Sequence, residues 1–160
     1  MEQFPAARMM WHQPWSYQIG YDRSGYQMTS FQQQQADMEA VQAYCMAICK
    51  EFGIQRVNTG EAWQIVRGEY GYDELCARLG KGDNHEGDFY HDGDIGGGQY
   101  LNACVWFEII TGINPVGNTY APTYKYNGVT YELDSDITFL ELQEAAHKAV
   151  EQLRAYEAAN

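Results

Sequence analysis

The chain has 160 residues, enough for one ordinary domain that buries roughly 70% of its unfolded surface without disulfides or a structural metal. Its 10 Lys and Arg against 22 Asp and Glu leave a formal net charge of −12, which repels phosphate backbones and anionic lipid surfaces. With 45% hydrophobic residues, the composition excludes overall disorder. We therefore expect a single globular domain over residues 1–160, with neither nucleic acid nor a membrane as its partner.

The first fifteen residues, MEQFPAARMMWHQPW, lack the basic cluster and apolar core of a secretory signal. Localisation stays open, because the chain is cytoplasmic as written but could be secreted if further residues precede it. Cys45 and Cys49 lie one helical turn apart on an apolar face, and no CxxC pair is present. Both are expected to be small buried hydrophobic residues in a reducing compartment.

The N-terminal half predicts a strand, a loop and a helix in that order. A short apolar run at 8–13 predicts a strand that ends before Pro14. The following aromatic and Gly-containing segment has no period, so residues 16–35 are expected to form a loop. From Asp37 a helical period runs to a stop at Gly53, and its apolar positions are Met38, Val41, Cys45, Ile48 and Phe52.

The C-terminal half adds one strand, three helices and a hairpin. GIQRVNTG predicts a strand that ends in a turn, and EAWQIVRGEYG predicts a helix with Trp63, either Ile65 or Val66, and Tyr70 inward. A Gly- and Asp-rich loop at 80–98 precedes QYLNACVWFEIITG, which predicts a helix buried nearly all round. Asn127-Gly128 predicts a peripheral hairpin at about 123–133, and Asp136 an N-cap for a helix through Ala155. The inward positions of that helix are Phe139, Leu142, Ala146, Val150 and Leu153.

Strands that alternate with helices predict an α/β fold with a parallel sheet covered by helices. Only two sheet strands are recognisable, whereas such sheets usually have about five. Either further strands are hidden in the sequence or part of the sheet is absent, and in the second case the sheet has an open edge. Its open edge would favour pairing with a second copy of the chain.

The segment GDFYHDGDIGGGQYL carries the densest set of chemical groups. Asp88 stands three residues before His91, so its carboxylate could orient the imidazole as a catalytic base. The same loop offers N and O donors for a divalent ion at 85–94, although neither a zinc nor a calcium pattern is matched. A third interpretation is a solvated polar loop without chemistry, and spacing alone leaves all three open.

Four segments together resemble the SGNH/GDSL-type hydrolases, in particular the bacterial branch known as DUF4886. They are WHQPWSYQ, NTGEAWQIVR, GDFYHDGDIGGGQYLNACVWFEIITG and FLELQEAAHKAV. The resemblance implies a three-layer α/β/α, flavodoxin-like fold. It also implies a serine esterase without a cofactor that acts on an acylated or acetylated carbohydrate or on another small-molecule ester.

In that superfamily an Asp-x-x-His block supplies the acid and base of a Ser-His-Asp triad, so the resemblance assigns these roles to Asp88 and His91. The family's Gly-Asp-Ser nucleophile turn and its oxyanion-hole block are not recognisable in this chain. Ser24 and Ser30 are the nearest serines, and neither matches. The chain thus corresponds to the C-terminal portion of the family fold, and a non-catalytic remnant that serves as a binding module is the alternative.

Substrate-binding candidates are Trp15 and Tyr17, which could stack on a sugar ring or simply pack in a loop. Arg67, inside NTGEAWQIVR, could bind a polar substrate group or pair with an acid. His12 and His147 have no partner in sequence and are expected to be structural.

Overall fold

A computed structural model describes residues 7–17, 19–20, 22–23, 25–69, 97–126, 129–131 and 137–159. Within these ranges the chain forms six short strands and four helices. The strands are β1 (Met10–His12), β2 (Asp22–Arg23), β3 (Tyr26–Gln27), β4 (Gln55–Val57), β5 (Tyr124–Tyr126) and β6 (Val129–Tyr131). The helices are α1 (Phe31–Phe52), α2 (Thr59–Glu69), α3 (Gly98–Thr111) and α4 (Phe139–Ala159). The fold class is mixed α/β, as predicted.

Strands β1 and β4 pair in parallel, with Met10 opposite Gln55 and His12 opposite Val57. The chain between them forms the antiparallel pair β2–β3 and the long helix α1, which is the kind of crossover that parallel pairing requires. Both predicted sheet strands are therefore confirmed, and so is their parallel direction. Val57 and Met10 belong to the core or its margin, where α2, α3 and α4 meet.

Helix α1 begins at Phe31, six residues before the predicted start. Ser30 is its N-cap, because the Ser30 hydroxyl accepts a hydrogen bond from the backbone N–H of Gln33. The four glutamines that seemed to end a loop are good helix formers, and the cap lets them join the first turns. Gly53, with φ of 62°, ends the helix as predicted. Phe52, expected on the inward face, is instead 65% exposed.

Helix α2 begins at Thr59, so the predicted turn after β4 is the first turn of this helix. The reason is close packing at Gly60, whose backbone N–H donates to the carbonyl of Gln13 at 3.2 Å. A Cβ atom at Gly60 would lie 2.2 Å from the carbonyl oxygen of Pro14. The loop after β1 therefore rests directly on the first turn of α2, and only glycine allows that approach.

Helices α3 and α4 pack against each other and against α2 to form the core. The predicted core helix α3 buries Leu101 and Val105 but exposes Phe107 and Ile110, so the expectation of burial nearly all round is wrong. Its C-cap is Gly112, as predicted. Of the described elements, α4, α2 and β4 pack against α3.

Helix α4 is capped two residues after the expected position. Thr138 and Glu141 form a reciprocal capping box: the backbone N–H of Glu141 donates to the Thr138 hydroxyl, and the Glu141 carboxylate accepts from the backbone N–H of Thr138. Asp136, the predicted cap, lies outside the described residues. Of the predicted inward positions Leu142, Ala146, Val150 and Leu153 are buried, and Phe139 is partly buried.

The predicted hairpin is confirmed: β5 and β6 are antiparallel, with Tyr126 opposite Val129, and they flank the Asn-Gly turn, which lies outside the described residues. No helix in the described ranges is long and apolar enough to span a membrane.

Candidate functional site

The carboxyl ends of β1 and β4 lie side by side and carry a concentration of polar groups. Strand β1 leads into residues 13–17, and β4 leads through Asn58 into α2. The two exits are joined by a hydrogen bond from the Gln13 N–H to the Val57 carbonyl at 2.9 Å. Ligands of open α/β sheets bind at this edge, so the groups gathered here are the first candidates for a site.

A buried polar network occupies the edge. The Arg56 guanidinium donates from one nitrogen to the Gln13 side-chain oxygen at 2.6 Å and forms an ion pair with Glu61. Asn58 donates to the second Glu61 oxygen at 2.6 Å and to the Ala149 carbonyl of α4 at 2.7 Å. The Arg56 side chain is only 3% exposed and that of Glu61 10%, so both charges are desolvated and depend on each other.

Part of this network has no hydrogen-bond partner within the described ranges. Both Gln13 Nε2 and Asn58 Oδ1 are buried and lack one. A partly satisfied buried network costs stability, because an unpaired polar atom has lost its hydration without replacement. Such groups persist where a water or ligand completes them, which is the main reason to regard this edge as functional.

His12, at the end of β1, is held in one tautomer. Trp106 Nε1, which can only donate, lies 2.9 Å from His12 Nδ1, so Nδ1 must accept and carry no proton. The proton is then on Nε2, 3.3 Å from the Thr59 hydroxyl, which itself donates to the Gln13 carbonyl at 2.6 Å. Burial lowers the pKa of His12, and the Trp106 bond favours the same neutral form. His12 joins β1, α2 and α3, consistent with the predicted structural role.

Trp15 and Arg67 both contact the Trp63 ring. The Trp15 ring stacks on Trp63 at 4.1 Å between centroids, with planes 2° apart, and Arg67 lies 5.4 Å from the Trp63 ring. Arg67 is 2% exposed and donates to the Ser16 carbonyl at 3.0 Å and to its hydroxyl at 3.2 Å. These contacts hold the loop that carries Trp15. A direct role of Arg67 in substrate binding stays a prediction.

Tyr17 is the most accessible of the three predicted substrate contacts. It is 40% exposed, and its ring lies 5.8 Å from that of Tyr26 at a tilt of 55°. Its backbone carbonyl accepts a hydrogen bond from Gln34 of α1 at 2.8 Å, which fixes the main chain while the ring remains at the surface. The position suits stacking on a ligand, and nothing in the described contacts assigns one.

The predicted catalytic residues Asp88 and His91 lie outside the described residues, as does the whole loop at 85–94. The two serines of the described ranges, Ser16 and Ser30, make structural hydrogen bonds. Ser16 is buried and accepts from Arg67, and Ser30 caps α1. Ser24 lies outside the described residues.

A second charged cluster links α3 and α4. Glu108 is 1% exposed, and its carboxylate lies 3.0 Å from His147 Nδ1 and 2.7 Å from a nitrogen of Arg154. Arg154 also contacts Glu151 at 2.7 Å. Glu108, His147 and Glu151 place their donor atoms within 4.8 Å of one another, which would suit a divalent ion. The Arg154 guanidinium already contacts both carboxylates and offsets part of their negative charge.

Cys45, Cys49 and Cys104 are buried free thiols, as the sequence predicted for the first two. Burial raises the pKa of Cys45 and Cys49, and it raises that of Cys104 to about 11. These thiols stay protonated at neutral pH, so they are unsuited to nucleophilic or metal chemistry.

Comparison of the chain with protein-family models, with curated proteins and with solved structures finds no match.

The sequence analysis did not identify the polar groups at the strand ends, which are Gln13, Arg56, Asn58 and Glu61. Their signal was positional: each is in β4 or within four residues of the end of β1 or β4.

Proposed function

We propose that the chain supplies the acid–base pair of an SGNH-type hydrolase that acts on carbohydrate esters, with His91 as the base and Asp88 as its orienting acid. The observation that carries the proposal is the Asp-x-x-His block within a four-segment resemblance whose segments lie between residues 11 and 150. The block stands seven residues before α3, the next described helix in the chain.

The finer fold proposed is the three-layer α/β/α, flavodoxin-like arrangement. Its support is the parallel β1–β4 pair with a helical crossover, followed by helices that form a core beside it. In such folds substrates bind at the carboxyl ends of the strands. We place the reacting ester there, close to the loop with Trp15 and Tyr17, so that an exposed Tyr17 ring can stack on the sugar.

The proposed chemistry is acyl transfer to a serine hydroxyl. His91 removes the hydroxyl proton as the oxygen attacks the ester carbonyl, and returns a proton to the leaving alcohol, while Asp88 stabilises the imidazolium. The family's Gly-Asp-Ser turn is not recognisable in this chain, so the proposal assigns the nucleophile to none of its serines. Ser16 and Ser30 accept hydrogen bonds from Arg67 and from the first turn of α1.

Hydrolysis of p-nitrophenyl acetate by the purified chain tests the proposal. We expect His91→Ala to lose on the order of a hundredfold or more in rate, because triad members act as a unit. His147→Ala is the matched control, since that imidazole lies at the α3–α4 contact, and should keep the rate. A wild-type rate equal to buffer, or equal rates for wild type and His91→Ala, would overturn the proposal and leave the non-catalytic binding module.

A further inference from the structure

A polar cavity lies between α1, α2 and α4. Its volume is about 270 Å³. All three helices contribute side-chain amides to its wall, and the four glutamines are Gln35, Gln42, Gln64 and Gln152. Arg56 and Glu61 also reach the wall, so the buried network at the strand ends is continuous with this cavity.

Gln64 is the unusual member of the lining. It is 8% exposed, and its side-chain nitrogen and oxygen are both buried without a hydrogen-bond partner in the described part of the chain. Leaving a whole carboxamide unpaired costs free energy, and an apolar residue of the same shape would avoid that cost. The terminal torsion of glutamine is soft, so the amide can turn toward a group in the cavity. Gln64 therefore points to a ligand that both donates and accepts hydrogen bonds.

The charges around the cavity select against an ionic ligand. Arg56 is already neutralised by Glu61, and the second acid on the wall, Glu39, leaves an excess of negative charge. The net charge of −12 adds to the repulsion of anions. Apart from the Tyr156 hydroxyl, the remaining polar side chains of the wall are amides, which are neutral and have both donor and acceptor atoms.

We propose that this cavity binds a neutral polyhydroxylated ring, a single sugar unit. Each sugar hydroxyl donates and accepts at once, as the glutamine amides do, and a cavity of this size suits one ring. Tyr156 stands at the wall with 39% of its surface exposed and offers an aromatic ring to the apolar C–H face of the sugar. The inference does not rest on the esterase proposal, because it is argued from the lining of this cavity and not from Asp88 and His91.

Titration calorimetry with glucose, galactose, xylose and N-acetylglucosamine, each added separately to the full chain, measures the binding. We expect saturable binding of at least one sugar in the millimolar range. Gln64→Met removes the amide at nearly constant shape, and should weaken that binding by about tenfold or more, the value of one well-made hydrogen bond. It should also raise the Tm by about 2–4 °C, because no polar group is then left unpaired.

Gln32→Met is the matched control, since Gln32 lies on the exposed surface of α1 outside the cavity wall, and should change neither quantity. Gln152→Ala, at an exposed position of the wall, should weaken binding at unchanged Tm. Absence of saturable binding by all four sugars would overturn the inference. Unaltered sugar binding by Gln64→Met would also overturn it. A lowered Tm for this variant would do the same, since it would show that water alone satisfies the Gln64 amide.

Discussion

Replacing Gly60 by alanine tests how tightly the loop after β1 is pressed onto α2. The new Cβ would lie 2.2 Å from the Pro14 carbonyl oxygen and 2.8 Å from Met38 Cε, where real contacts are essentially never below 3.0 Å. The Met38 methyl can swing away, but the Pro14 carbonyl is backbone and must move by about 1 Å. That shift also strains the hydrogen bond from the Gly60 N–H to the Gln13 carbonyl.

The magnitude follows from two opposing effects. Overpacking of a well-packed site costs typically 1–3 kcal/mol, and a backbone clash belongs at about the upper end. Alanine gains about 1 kcal/mol over glycine in a helix. We expect Gly60→Ala to lower the free energy of unfolding by about 2 kcal/mol. Urea unfolding followed by tryptophan fluorescence measures it, since Trp15 lies in the displaced loop and stacks on Trp63.

Gly68→Ala, in the same helix, is the matched control. Its Cβ would lie 3.3 Å from Phe31 Cζ, the far end of a side chain that is 40% exposed and can yield. The helix propensity gain should then dominate, so this variant should be neutral or more stable by up to about 1 kcal/mol. If Gly60→Ala proves as stable as Gly68→Ala, the close approach of the loop to α2 is refuted.

Two further predictions concern the titratable side chains of His12 and Glu108. The pKa of His12 is lowered from 6.5 in the folded chain, so as the pH falls below about 6.5 His12 takes up a proton more readily in the unfolded chain. The free energy of unfolding therefore decreases below that pH, whereas above it neutral His12 causes no such loss. Urea unfolding between pH 5 and 8 should show a shallower acid decline for His12→Phe than for wild type, and parallel profiles would contradict this. Glu108→Gln should lower the free energy of unfolding by about 1–2 kcal/mol, because it removes a buried charge but leaves His147 and Arg154 partly accessible to water. Glu151→Gln, whose side chain is 55% exposed, should stay within about 0.5 kcal/mol of wild type, and equal losses for the two would show that burial of Glu108 does not matter.

Local signals in the sequence determined most of the elements. The glycine stops at Gly53 and Gly112, the Asn-Gly hairpin and the two apolar runs that became β1 and β4 all act within a few residues, so they can be read directly from the chain. Helix starts were less well predicted, because Ser30 and Thr138 compete with other plausible caps, and only the completed hydrogen bonds show which residue serves.

Tertiary structure decided the rest, since it joins residues that are far apart in sequence. Glu108 and His147 are 39 positions apart, Arg56 and Gln13 are 43, and no spacing rule connects such pairs. Gly60 is another example: its sequence context predicts a turn, and only the folded chain brings the Pro14 carbonyl against it. The Asp88–His91 block and its position before α3 can also be read from the sequence alone. Which polar groups are buried together, and which of them lack a partner in the described part of the chain, follows from packing, because burial is a property of the folded chain as a whole.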